Sequence, residues 1–167
     1  ATLVALLARV MAETPRPRVR MLTFTRAATQ ELAKKVVEQA EDADVRPLTV
    51  HSFALSILVN NPGAAGLPEP LRLADDWELS QVIRPTLARR MGSTPSMVKE
   101  LFKEQASNWE SLEEEEDAEI PEEIRTRFLG AWEEHRQVFG YTLLSELPYA
   151  LRNLLCDHPD AEGTEWD

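Results

Sequence analysis

The sequence predicts an α/β chain that is mostly helical: a partial parallel sheet, with two strands visible, followed by a larger all-α region. Three observations lead there. Residues 18–60 switch twice from a short run of β-formers to an apolar period of 3.6. After the Pro-, Gly- and Ala-rich linker NPGAAGLPEP (61–70), no strand-like run recurs. Charge divides at the same place: residues 1–60 carry eight Lys or Arg against six acids, and the remainder ten against 23.

The opening segment puts Leu3, Leu7 and Val10 at helical spacing and stops before Pro15 and Pro17, which reads as a buried helix. RVRMLTFT (18–25) reads as a strand, and residues 26–41 as a helix with Ala28, Leu32 and Val36 along one stripe. VRPLTV (45–50) is a second strand and HSFALSILVN (51–60) a second helix, with Ser52 as its expected N-cap. Beyond the linker, helices are expected at 75–91, 95–107, 120–139 and 142–156. Pro85 should kink or divide the first of these, and Pro121 suits a first turn. The acidic run ESLEEEEDAE between the second and third reads as a solvated loop or frayed helix end; its acids lack the Gly-turned spacing of a calcium loop. Three regions follow: 1–60 as the partial sheet unit, 61–140 as the helical region, and 141–167 as a helix and tail returning to the sheet unit.

Strand–helix alternation implies parallel strands with right-handed crossovers, which brings both strand-to-helix junctions to the carboxyl edge of the sheet, where ligands of such sheets bind. Two parallel strands are too few for a stable open sheet, so further strands are expected outside these 167 residues.

Composition bounds the rest. Four Trp, five Phe and 43% hydrophobic residues exclude a disordered chain. No apolar run approaches the roughly 20 residues needed to span a bilayer, and the first segment lacks the basic leader of a signal peptide. The single cysteine, Cys156, forms no internal disulfide; this points to a reducing cytoplasm, and its place among Leu151, Leu154 and Leu155 reads as a buried thiol. A net charge of −11 argues against a general nucleic-acid binder, but the first 60 residues are weakly basic.

At the first junction, Thr25 brings a hydroxyl and Arg26 a charge to a helix N-terminus, whose unpaired N–H groups and positive dipole end favour phosphate. Phe24 could offer a ring on which a base stacks. The second junction supplies Thr49, His51, Ser52 and Phe53, and together the two make a candidate single-strand track. The same residues admit a structural reading: Thr25 as a helix cap, Phe24 and Phe53 as core, His51 as a satisfied structural imidazole. Catalytic constellations are lacking. None of the six glycines lies in a GxxxxGK[ST] phosphate loop, and there is no metal-ligand pattern.

LTFTRAATQELAKKV (22–36) resembles motif Ia of superfamily 1 DNA helicases of the UvrD and Rep type, and LTVHSFALSIL (48–58) resembles their motif Ib. LADDWELSQVI (73–83) and GYTLLSELPYALRNLLCDHPD (140–160) are similar, in the same order, to the entry and exit of that family's helical insertion. The resemblance implies part of a RecA-like motor domain carrying an all-α insertion. It further implies a parent protein that uses ATP and Mg to move along single-stranded DNA, usually 3′ to 5′, in repair or replication. By position, Phe24, Thr25, Arg26 and Ala27 would be motif Ia contacts, and Thr49, His51, Ser52 and Phe53 those of motif Ib. The nucleotide-gripping loop would precede residue 1 and the Mg-binding strand would follow GTEWD (163–167), so the piece alone should bind no ATP and bind DNA weakly. Two departures stand out. Arg26-Ala27 replaces a frequent Asn-Lys, and Val50 replaces a frequent Phe, for which Phe53 could partly substitute. The competing expectation is a stand-alone acidic, helical protein-interaction module with the βα units as scaffold.

Overall fold

The computed structural model describes residues 2–13, 18–39, 44–111 and 120–161. Helix α1 (Thr2–Glu13) leads to strand β1 (Arg18–Thr23), helix α2 (Arg26–Gln39), strand β2 (Asp44–Thr49) and helix α3 (Val50–Leu58). The strands pair in parallel, from Arg18↔Asp44 to Thr23↔Thr49. Side chains alternate across the pleat, so Met21 is buried with Leu7, Leu32 and Val36 on the α1–α2 side, with Val19 and Val45 packed against them. The other side packs Leu48 against α3. Among the described side chains of α1, Leu7 is enclosed while Ala5, Leu6, Arg9 and Ala12 are exposed.

The rest is helical. Helix α4 (Asp76–Glu78) continues through a π turn (Leu79–Ile83) into α5 (Arg84–Met91); α6 is Pro95–Ser111 and α7 Glu122–Phe139; a 3₁₀ turn (Leu144–Glu146) opens α8 (Leu147–Asp157). Pro85 does not divide the run from Asp76 to Met91. Its missing N–H is accommodated by widening the turn just before it, where the Arg84 N–H reaches back five residues to the Leu79 carbonyl. Pro121 stands one position before α7, as its cap residue, and α6 runs four residues past its expected end. Most of the acidic run, residues 112–119, and the tail 162–167 lie outside the described residues.

Two large cores result. One joins α5, α6 and α7 around an aromatic cluster in which Phe102 meets Phe128 edge-on at 5.0 Å and Trp132 edge-on at 5.5 Å. The other joins α3 and α8 through Phe53, Ala54, Ile57, Leu58, Leu147, Ala150, Leu151 and Leu154. Helix α8 buries one stripe only. Cys156 lies two residues past Leu154, on the opposite face, and is exposed, which corrects the expectation of a buried thiol.

The chain passes between the two cores twice, and the two crossings bond to each other. Leu73 bridges Thr142 in parallel; the Thr142 N–H donates to the Arg72 carbonyl at 2.7 Å and the Ala74 N–H to the Thr142 carbonyl at 3.0 Å.

Candidate functional site

Both strands end in threonine, and Thr23 pairs with Thr49, so α2 and α3 start side by side at the carboxyl edge of the sheet. At the first junction Thr25 caps α2: its hydroxyl accepts the Ala28 N–H at 3.1 Å. The Thr23 and Thr29 hydroxyls are 2.6 Å apart, and each is near the Thr25 carbonyl, at 3.1 and 3.0 Å. One hydroxyl donates to the other, which in turn donates to that carbonyl. This fixes the turn from both sides and aims Phe24 outward, where its ring is 89% exposed. Phe24 therefore fills no core among the described residues. Thr25, Arg26 and Ala27 are exposed beside it.

At the second junction the cap is Thr49, not Ser52. The Thr49 hydroxyl accepts the Ser52 N–H at 3.1 Å and donates to the Ser52 hydroxyl at 2.8 Å, because the helix begins one residue earlier than the sequence pattern suggested. Ser52 is exposed at this end, and His51 and Val50 are half-buried. Of its two readings, Phe53 takes the structural one. At 6% exposure its ring sits in the core between α3 and α8, with the Arg20 guanidinium 5.7 Å from the ring centroid. A ring so enclosed offers no open face to a base; it anchors the helix that carries His51 and Ser52, so the place left by Val50 is not refilled.

Electrostatics favour an anion at this edge. Neither α2 nor α3 has an acid in its first turn, whereas α7 opens on Glu122 and Glu123. Within α2 the Arg26 and Ala27 N–H groups have no intrahelical acceptor, since Thr25 takes only that of Ala28. An arginine in a first turn is slightly unfavourable against the helix dipole, a cost that a bound anion would offset. The edge thus combines two helix N-termini, one exposed guanidinium and one exposed aromatic ring.

Seven of the eight candidate residues lie at this edge with at least partial exposure, and Phe53 lies beneath it. The residues missed were Thr23 and Thr29, which hold the first turn. Their signal was present as three threonines at positions 23, 25 and 29, the last a polar residue in an otherwise alanine-rich first turn. Among the described residues no group of His, Cys, Asp or Glu could hold a metal ion, and no helix is long and apolar enough to cross a membrane.

The model of the UvrD/REP helicase N-terminal domain matches residues 1–149, which includes both junctions and the helical region through α7 into the start of α8. No curated protein is matched by the sequence.

Proposed function

The chain belongs to the UvrD/REP helicase family, and from that premise we propose that its two strand-to-helix junctions are the grip on single-stranded DNA of an ATP-driven helicase. The observation that carries this reading is Phe24, an 89% exposed ring on a turn held by three threonine hydroxyls, directly beside Arg26 and an acid-free helix N-terminus. Such a ring is left in solvent by the described residues, whereas a base stacked on it is worth about 1–3 kcal/mol. Phosphates then sit toward Arg26 and the N–H groups of Arg26 and Ala27, with His51 and Ser52 continuing the path at the second junction.

In this reading residues 1–60 are the motor-domain part, 61–140 the helical insertion, and 141–167 the return to the motor domain. ATP and Mg belong to the parent protein. The residues here do not fit a nucleotide site, since they include no GxxxxGK[ST] loop, and no step of the motor cycle is assigned to them. Translocation, its 3′ to 5′ direction and a role in repair or replication are parts of the same proposal.

The test is a salt titration of single-stranded DNA binding by the parent protein. Arg26→Ala should weaken binding and reduce the slope of log affinity against log salt by about 0.7, the share of one phosphate contact on a single strand. An unchanged slope removes Arg26 from the track. DNA binding unaffected by both Arg26→Ala and Phe24→Ala would favour the interaction-module reading instead.

A further inference from the structure

We propose that Arg72 and Arg136 form a two-arginine neck that fixes the helical insertion to α3 as one rigid body, and so positions the insertion relative to the second junction. Arg72 ties the two ends of the insertion together. Its Nη1 and Nη2 donate to the Glu78 carboxylate at 2.6 and 2.9 Å, at the start of the insertion, while Nη2 and Nε donate to the Phe139 and Gly140 carbonyls at 3.0 and 3.1 Å, at its end. Arg136 ties α7 to the two segments that join it to the α3–α8 core. From α7 its Nη1 donates to Glu146 at 2.6 Å, on the returning segment, and its Nη2 to the Gly66 carbonyl at 3.0 Å, on the outgoing one. Its guanidinium also lies 5.4 Å from the Trp132 ring centroid, and its Nε 2.9 Å from Glu133. Glu146 completes the arrangement by accepting the Leu143 N–H.

The outgoing segment has no slack. After α3, the Asn60 and Asn61 N–H groups bond back to Ile57 and Leu58, Ala65 bonds to Asn61, and Leu67 bonds to Pro62 and is buried against the α3–α8 core. Gly66, which Arg136 holds, is therefore fastened to the far end of the helix whose near end is capped by Thr49. A single nine-residue helix joins the neck to the junction. A buried guanidinium–carboxylate pair is weak as a source of stability and better suited to fixing geometry. Neck and grip are thus mechanically continuous.

The experiment separates geometry from stability. Spin labels are attached to native Cys156, the single cysteine and exposed on α8, and to Ser107→Cys, exposed on α6. Electron–electron distance measurement should give one narrow distribution for this parent pair. Arg136→Met/Glu146→Gln removes both charges together and keeps an acceptor for the Leu143 N–H, so no unpaired charge is left buried, and unfolding by urea should stay near the parent midpoint while the label distribution broadens and shifts. A purely structural pair predicts the opposite: no geometric change once the volume is restored. Arg72→Gln, at an exposed position, carries the same test should the double variant fail to fold, and it should also speed amide exchange at Ala74 and Thr142. Distributions as narrow as the parent's in folded variants would overturn the proposal. Only the mechanical consequence rests on the DNA-grip reading; the measurement needs no DNA, so failure of the grip and failure of the neck are distinguishable.

Discussion

His135 is 1% exposed, with its ring stacked on Phe139 at 4.4 Å and its Nδ1 3.2 Å from the Tyr141 hydroxyl. Burial, reinforced by the nearby charge of Arg90, holds its pKa below the usual histidine value. The unfolded chain therefore takes up a proton near pH 6.5 that the folded chain refuses. No stability is lost above that value. As pH falls through it, the unfolded state is favoured by at most about 1.4 kcal/mol per pH unit, the limit for one proton, until the lower folded pKa is reached. Urea midpoints measured between about pH 7.5 and about pH 5.5 should fall less steeply for His135→Gln than for the parent, because the window is centred on the unfolded histidine value. Equal slopes would show that His135 takes up its proton over the same pH range in the folded and unfolded states.

At the scale of elements, the caps decide where the site lies. The Thr49 hydroxyl is committed on both sides, accepting the Ser52 N–H and donating to the Ser52 hydroxyl. Thr49→Ala should cost about 1 kcal/mol by loss of the cap, and Thr49→Ser should restore most of it; chemical denaturation followed by circular dichroism checks both. A parent-like Thr49→Ala would mean Ser52 takes over the cap. The sequence pattern favoured Ser52 because periodicity locates a helix only to within a residue or two, whereas a cap depends on the dihedrals of one residue. Existence and order of the elements were legible throughout the described residues, since β-rich runs and 3.6-residue periods are properties of local composition. The aromatic rings were not. Phe24 stands one residue past its strand, in the turn, and is nearly fully exposed, whereas Phe53 stands four past its own, inside α3, and is enclosed. The difference is made by α8, about a hundred residues away in sequence, which covers Phe53 and does not reach Phe24. Cys156 was misread for the same kind of reason: its leucine neighbours mark the helix as amphipathic, and only the register of the buried stripe shows which face the thiol takes. The two arginines of the neck carried no local signal, because their partners lie up to 70 residues away.

For the whole molecule, the question is whether the insertion and the α3–α8 unit unfold together. Helix α8 belongs to both. Leu147, Ala150 and Leu151 are buried in the α3 core, while Tyr149, between them on another face, stacks against Trp109 of α6 with ring centroids 6.2 Å apart. The neck adds the Leu73–Thr142 bridge and the Arg136–Glu146 pair between the same two units. Two cores sharing a helix and a bonded crossing should behave as one cooperative unit. Phe128, 1% exposed and wedged between Phe102 and Trp132, lies wholly on the insertion side. Phe128→Ala should cost about 3–5 kcal/mol through lost burial and the cavity left behind. If the units are coupled, amide exchange in α3, on the far side of the neck, accelerates in parallel with the loss of Trp109 and Trp132 fluorescence, although α3 touches none of the removed atoms. Fluorescence that shifts while α3 exchange stays at the parent rate would separate the insertion as an independent unit and confine the neck to setting geometry.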